Sequence, residues 1–210
     1  MNDFFSGTNI LIFIPVLLFS VGLHEAMHGF AAHWLGDSTA HDQGRLTLNP
    51  LKHLDLYTSI ILPIVLILSH LPPFFIAKPV PFNSSRVKYD EFGVAIIGIA
   101  GPLTNISLAI VASFLLRFWS ILASGMMGDI LLMVVVLNVS LAVFNMIPFP
   151  PLDGSRVLYA FAPEPLQNVM ASLESSGFML IIIFMIIFMS SGLGDIIIRI
   201  DSSVINLLLG

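Results

Sequence analysis

The chain has 210 residues, of which 57% are hydrophobic and only 10% are charged, and its formal net charge is −5. An ordinary soluble domain carries about 25% charged residues, so the composition predicts a membrane protein with several spans of about 20 residues each. The acidic balance excludes a basic nucleic-acid-binding surface. The chain has no cysteine, which excludes disulfide bonds and a thiolate zinc site.

Four long apolar segments are predicted to be membrane-spanning helices, because each approaches or exceeds the roughly 20 residues that a span needs. Their predicted limits are residues 9–35, 92–119, 129–148 and 177–200. Residues 125–128 are predicted to form a turn, and residues 166–173 an interfacial helix. Between the first two spans, residues 45–48 alternate between polar and apolar, which predicts a short strand.

A further apolar segment, Tyr57 to Leu71, is too short for a full span. It has about 15 residues, or roughly 22 Å as a helix, against a hydrocarbon core of about 30 Å. Pro72 and Pro73 then end any helix, and the prolines within residues 74–82 predict an extended chain.

The first apolar segment contains the sequence His24-Glu25-Ala26-Met27-His28. Residues four apart share one face of a helix, so His24 and His28 can bind one Zn²⁺ together. Glu25 lies beside them and can act as general base for a water molecule. The alternative is a chance match at a polar helix end. The high cost of ionisable side chains in hydrocarbon favours the functional interpretation.

A catalytic zinc site needs a third protein ligand and an open position for water. The segment Asn145 to Gly154, with the sequence NMIPFPPLDG, is the best source, because its prolines release the backbone from helical hydrogen bonding. We expect Asp153 to stand on an irregular segment and to reach the metal. The alternative for Asp153 is a helix cap in an interfacial loop. Asn145 can donate to an oxyanion, and its alternative role is a hydrogen bond between helices.

Gly101 to Asn105, with the sequence GPLTN, lies inside the second predicted span. Glycine and proline in a membrane helix permit close helix approach and a kink, so a structural role is preferred for Gly101 and Pro102. Asn105 either positions the substrate backbone or bonds a neighbouring helix. Loop or interface roles are expected for the other four histidines, which are His33, His41, His53 and His70.

In this order, residues 24–28, 101–105 and 145–154 resemble the motif set of the site-2 protease family of intramembrane zinc metalloproteases. The sequences GRLTLNP at 44–50 and AKPV at 77–80 further resemble its compact members, and the likeness covers about residues 10–160. The resemblance implies cleavage of a substrate's transmembrane segment. It also implies Asp153 as the third zinc ligand and Asn145 near the scissile carbonyl. No PDZ or CBS domain is expected in the remaining residues.

The predicted protein is therefore an intramembrane zinc endopeptidase that acts in regulated intramembrane proteolysis. One Zn²⁺ per chain lowers the pKa of its bound water toward about 7 and polarises the scissile carbonyl. Glu25 takes the proton of that water and passes it to the leaving amine. The substrate must unwind, and it can pair by strand addition with residues 45–48 or 74–82. The predicted partners are a substrate's transmembrane segment and the lipid bilayer, without nucleic acid.

Two rival functions use the same features. A non-catalytic adaptor that binds membrane helices can retain the zinc site, but metal binding alone does not require Glu25. A metal or proton transporter tends to show internal repeats and ionisable groups on several spans, whereas here these groups concentrate at one site. Cleavage of a membrane-tethered peptide by the zinc-loaded protein distinguishes the protease from the adaptor.

The position of the zinc motif predicts the topology. His24 lies about 15 residues, or roughly 22 Å, into the first span, so the zinc lies near the face where Leu35 leaves the membrane, here called the Leu35 face. Asp153 reaches that face only if residues 57–82 form a re-entrant hairpin. The Leu35 face then carries six of the eight basic residues, namely Arg45, Lys52, Lys78, Arg86, Lys88 and Arg156. The positive-inside rule makes this face cytoplasmic.

The predicted fold is all-α and polytopic, with about four full transmembrane helices, a re-entrant hairpin and short β segments around a buried zinc site. We predict one membrane-embedded domain, residues 1–210, with a catalytic core at about 9–160 and a C-terminal transmembrane helix at about 177–200. The protein is expected to be an integral multi-pass protein of the cell membrane, with its active site open to the cytoplasm.

Overall fold

A computed structural model describes residues 7–61, 65, 68, 77–119, 123–175, 180, 184, 186, 188 and 191–210. The longer elements in these ranges are α1 (Gly7–Trp34), α2 (Thr39–Asp42), α3 (Asp90–Phe118), α4 (Gly125–Asn145), α5 (Asp153–Phe161), α6 (Glu164–Ser175) and α7 (Leu193–Leu209). Short 3₁₀ helices occur at Pro50–His53 and Ser84–Arg86, and a short π-helix at Leu56–Ile61.

Three helices are long and apolar enough to cross a membrane: α1 from Ile12 to Trp34, α3, and α4. Their positions match the first three predicted spans. A continuous apolar run in lipid can satisfy its backbone only as a helix, which is why the helices were predicted there. The predicted turn at 125–128 is wrong, since α4 already begins at Gly125 and the turn residues are Ala123 and Ser124. The predicted interfacial helix at 166–173 lies within α6.

The short β segments are not confirmed, because no strand occurs in the ranges that the structure describes. Residues 45–48 are irregular instead. The N–H of Arg45 donates to the carbonyl of Ala40, and the N–H of Thr47 donates back to the carbonyl of Arg45. These local bonds hold the segment without a neighbouring strand.

The C-terminal segment differs from the single predicted span at 177–200. Gly192 has a φ of +70°, a left-handed conformation that is not helical, and α7 begins at the next residue. Helix α7 continues to Leu209 and packs along α4, where Asp201 accepts a hydrogen bond of 2.7 Å from Ser140. The fourth full span is therefore not confirmed as a continuous helix over the predicted residues.

Helix α3 is central to the bundle and contacts α1, α4, α5 and α7. Small side chains permit these close contacts, which is the usual way that helices pack in membranes. Ala109 and Ala112 of α3 are buried against Val135 and Val139 of α4. Helix α3 therefore contacts both the helix that carries the histidine motif and the helix that carries Asp153.

The C-terminal end of α1 is closed by Gly36, whose φ is +105°. The N–H groups of Gly36 and Asp37 donate to the carbonyls of His33 and Ala32, both at 3.0 Å. This pair of bonds is a Schellman motif, which ends a helix and turns the chain. The turn brings Asp37 to the end of α1, where its carboxylate organises the loops beside the histidine motif.

Much of the predicted re-entrant hairpin, residues 62–64, 66–67 and 69–76, lies outside the described residues. Its flanks are described. The N–H of Lys78 donates to the carbonyl of His53 at 2.9 Å, so the chain on either side of the segment meets at one place.

Candidate metal centre

Helix α1 presents the two motif histidines on one face, one turn apart. The Nε2 atoms of His24 and His28 are 3.0 Å apart, and each residue is only 5% exposed. The Nδ1 atom of His28 lies 2.6 Å from the carbonyl oxygen of Ile97. A carbonyl can only accept, so Nδ1 of His28 carries the proton and Nε2 keeps a lone pair for a metal.

Asp153 joins the two histidines from the other end of the chain. Its Oδ2 atom lies 3.0 Å from Nε2 of His24 and 3.1 Å from Nε2 of His28. Asp153 was expected on an irregular segment, but it is the first residue of α5. The irregular part is residues 146–152, which turn the chain back from α4 and place the start of α5 against α1 and α3.

A glycine keeps the space in front of these donor atoms open. A Cβ atom at Gly101 would stand 2.5 Å from Nε2 of His28 and 2.6 Å from Nε2 of His24. The close helix approach expected of the GPLTN sequence is therefore centred on the imidazoles. Any side chain at this position would enter the space that the two nitrogens face.

The donor set fits zinc. Two imidazole nitrogens and one carboxylate oxygen are a set that catalytic zinc sites use, with a fourth position left for water. Within the described part of the chain, His24, His28 and Asp153 are the one group of potential ligands whose donor atoms all lie within 4.8 Å of one another. All three residues are buried, and in a buried site paired or metal-bound polar groups are expected.

Arg156 holds the second carboxylate oxygen of Asp153. Its Nη1 atom donates to Oδ1 at 3.0 Å, and its guanidinium lies 5.1 Å from the ring centroid of Phe82. Burial alone would raise the pKa of Asp153, but the polar and charged groups around the carboxylate, Arg156 among them, hold that pKa well below its usual range. The carboxylate is therefore ionised with Oδ2 directed at the histidines.

Glu25 is not part of the donor group. Its Oε2 atom accepts a hydrogen bond of 3.0 Å from the backbone N–H of Val80. Val80 belongs to residues 77–83, a non-helical segment here called the strap. The carboxylate of Glu25 is thus held by a backbone amide and not by the donor atoms, and its role as general base stays a prediction.

The strap is fixed to the end of α1 and its loops at several points. The guanidinium of Arg45 donates to the carbonyl of Lys78 at 3.2 Å. The N–H of Asn83 donates to Oδ2 of Asp37 at 2.6 Å. Burial would raise the pKa of Asp37, but hydrogen bonds from Thr39 and Asn83 lower it below its ordinary value.

Several predicted residues lie apart from the donor group. The Nδ2 atom of Asn145 donates to the carbonyl of Leu141 at 2.9 Å, and no contact within the described residues joins Asn145 to the donors. Its role as an oxyanion donor stays a prediction. The rings of His33 and His41 stack on each other at 5.5 Å, and Nε2 of His53 bonds a loop carbonyl. His70 lies outside the described residues.

Two buried polar residues behind His24, Asn138 and Ser20, were not identified from the sequence. Asn105 Oδ1 lies 2.5 Å from Nδ1 of His24, and Asn105 in turn bonds Asn138 of α4. Asn138 also bonds Ser20 of α1. The available signal was an asparagine in the apolar run of α4 and a serine four residues before His24, hence on the same helix face.

The chain resembles known proteins over most of its length. Residues 120–190 match the model of peptidase family M50. The chain is 33% identical over 184 residues to "Putative zinc metalloprotease YwhC" of Bacillus subtilis, a match covering 84% of this chain and 80% of that protein. It is 30% identical over 182 residues to "Putative zinc metalloprotease Rip2" of Mycolicibacterium smegmatis, covering 83% and 68% respectively. No solved structure matches the chain significantly.

Proposed function

Because the chain belongs to peptidase family M50, we propose that it hydrolyses a peptide bond within or near the transmembrane segment of a membrane-protein substrate. It is a zinc metalloprotease, and three of its helices are long and apolar enough to cross a membrane. One observation carries the proposal: the buried histidines lie on one of these apolar helices, α1. A peptide bond reaches them only at membrane depth.

We assign His24, His28 and Asp153 as the zinc ligands and Glu25 as the general base. Zinc, when bound, supplies a Lewis acid that polarises a carbonyl and acidifies water. The hydrogen bonds of Ile97 and Arg156 orient the assigned ligands. Glu25 takes a proton from the attacking water and delivers it to the leaving amine. Asn145 is retained as an oxyanion donor, because its Nδ2 atom has a second hydrogen beyond the one given to Leu141.

The unwound substrate needs an edge to pair with, and two segments were candidates. In the strap, the N–H groups of Lys78, Val80 and Asn83 are already donated, and Pro79 and Pro81 have none. The strap therefore offers few donors to a substrate.

Residues 45–48 fit substrate pairing better. Within the described residues, the N–H and C=O groups of Leu46 and Leu48 have no partner, whereas both backbone groups of Thr47 are used. A partner strand pairs with alternate residues along one edge, which is this pattern. Leu46 also lies near the site, since its Cδ1 atom is 3.3 Å from where a Cβ of Gly29 would stand. Leu48→Pro should raise KM, and Leu48→Ala should not; equal KM values would refute the pairing.

A contact at the base of the predicted hairpin supports the proposed topology. The bond between Lys78 and His53 supports a re-entrant segment that leaves and returns on the Leu35 face. That arrangement puts six of the eight basic residues on this face, which is cytoplasmic by the positive-inside rule. The chain has no native cysteine, so single cysteines report cleanly. In intact cells, cysteine at Ser38 or Ser84 should be protected from an impermeant thiol reagent and cysteine at Ser124 labelled. Labelling at Ser84 but not Ser38 would mean a full crossing.

The decisive test of the function compares Glu25→Gln with the wild type. Glutamine can still accept the N–H of Val80 but cannot act as a base, so zinc should stay near one equivalent while cleavage is abolished. Asp153→Ala should instead lower the zinc content. Membrane-protein fragments present with the wild type and absent with Glu25→Gln would identify substrates. Turnover by Glu25→Gln at the wild-type rate would disprove the mechanism, and absence of fragments with both proteins would favour the adaptor.

A further inference from the structure

Four buried polar side chains form a continuous hydrogen-bonded row behind the metal centre. Asn105 Oδ1 is 2.5 Å from His24 Nδ1, and Asn105 Nδ2 donates to Asn138 Oδ1 at 2.8 Å. Asn138 Nδ2 donates to Ser20 Oγ at 2.9 Å. Ser20, Asn105 and Asn138 are each 0% exposed. The row joins α1, α3 and α4 in an apolar setting, where an unpaired polar group is costly.

The row has a direction that is set at its far end. Asn138 Nδ2 also donates to the carbonyl of Val134 at 2.8 Å. A carbonyl can only accept, so the amide nitrogen of Asn138 must face Val134 and its oxygen must face Asn105. Asn105 must then present its nitrogen to Asn138 and its oxygen to His24. The imidazole must therefore carry its proton on Nδ1, which leaves the Nε2 lone pair facing Asp153 and His28.

The two histidines differ in which groups fix their tautomers. The tautomer of His28 is set directly by the main-chain carbonyl of Ile97, which side-chain substitution does not remove. The tautomer of His24 depends on two amide side chains, either of which could turn over if its neighbour were lost. A reversed Asn105 would donate to Nδ1 of His24 and move the proton to Nε2, where it blocks metal binding.

We propose that Asn138, held by Ser20 and the Val134 carbonyl, is a positioning residue that fixes Asn105 and thereby the metal-binding tautomer of His24. The inference rests on the assignment of His24 as a zinc ligand. Asn138 touches neither the substrate nor the donor atoms, and it acts through Asn105. Ser20 takes the second hydrogen of the Asn138 amide, so the amide has no unpaired N–H that would favour rotation.

The test measures zinc affinity by competition with a chromogenic chelator, on the full chain purified in detergent. Asn138→Leu fills the same space but leaves Asn105 free to turn, and it should raise the zinc Kd about 10- to 100-fold, the usual effect of losing an outer hydrogen-bond partner. Ser20→Ala should give a smaller rise. Ser113→Ala is the matched control, because Ser113 is also buried but, among the described residues, its hydroxyl bonds only the carbonyl of Ile110 in its own helix.

A second substitution at position 105 distinguishes a role of Asn138 in orienting the Asn105 amide from a purely structural role. A carboxylate at position 105 has two acceptor oxygens and cannot be reversed. The double variant Asn138→Leu with Asn105→Asp should therefore recover zinc affinity toward the wild-type value, even where thermal unfolding shows that its stability is lower. Failure to recover affinity in a folded double variant, or a wild-type Kd for Asn138→Leu, would overturn the inference.

Two further comparisons of zinc affinity cover the case in which Asn138→Leu does not fold and the case in which the zinc ligands are assigned wrongly. Where Asn138→Leu does not fold, an equal zinc Kd for Ser20→Ala and Ser113→Ala overturns the inference. His24→Ala separates this proposal from the function itself. An unchanged zinc Kd in His24→Ala would mean that the ligand assignment has failed. A raised Kd in His24→Ala together with an unchanged Kd in Asn138→Leu would mean that only the positioning role has failed.

Discussion

Replacement of Gly101 by alanine should remove zinc without unfolding the protein. The new Cβ would stand 2.5 Å from Nε2 of His28 and 2.6 Å from Nε2 of His24. Non-bonded heavy atoms normally stay about 3.5 Å apart, so each imidazole must recede by about 1 Å. Zinc sites tolerate only about 0.2 Å in their ligand distances. The displacement exceeds that tolerance several-fold, so both histidines cannot remain ligands together.

The expected loss is larger than the loss of an outer hydrogen bond, so the zinc Kd of Gly101→Ala should rise by more than about 100-fold. Alanine is a better helix former than glycine by about 1 kcal/mol, so the helix itself is not weakened. Zinc content measured by mass spectrometry, thermal unfolding in detergent and peptide cleavage form the assay. Gly194→Ala is the matched control, because the nearest atom to its new Cβ is 3.6 Å away on Phe188. Gly101→Ala protein with one zinc and wild-type cleavage would show that the space at Gly101 is not needed for zinc binding.

Two further predictions concern the strap and its anchor. Val80→Pro removes the N–H that Glu25 accepts. Since a hydrogen bond to a charged group contributes about 1.5–3 kcal/mol, kcat should fall about 10- to 150-fold with zinc content unchanged. Val80→Ala keeps the N–H and should behave as the wild type, and a higher kcat for Val80→Pro would show that the contact restrains the base. The pKa of Asp37 is lowered in the folded state, so its stabilising effect is complete at neutral pH and is lost as the pH falls below about 4. The Tm advantage of the wild type over Asp37→Asn should therefore be present at pH 7 and disappear in acid, and an advantage that grows in acid would contradict this sign.

Local sequence was sufficient for three of the predicted spans and for two of the three proposed metal ligands. The spans of α1, α3 and α4 follow from apolar runs, because lipid leaves a continuous apolar segment little choice but a helix. His24 and His28 need only the helical repeat to share a face. Two local features of the backbone were not predicted. Gly125 begins a helix where a turn is predicted, and Gly192 is left-handed within the fourth predicted span. Glycine permits a left-handed backbone, but the sequence alone does not show which glycines adopt it.

The groups that meet these histidines from distant parts of the sequence are set by helix packing. Asp153 is predicted as a ligand from the sequence, but its surroundings are not. The bond from Arg156 to its second oxygen, and the open space that Gly101 leaves in front of the histidine nitrogens, depend on how α5 and α3 pack against α1. Asn138 and Ser20 are 118 positions apart, and neither carries a motif. A polar side chain in an apolar run signals that it needs a partner, because burial without one is costly. Helix packing, which no local pattern encodes, sets which partner the side chain finds and hence which nitrogen of His24 carries the proton.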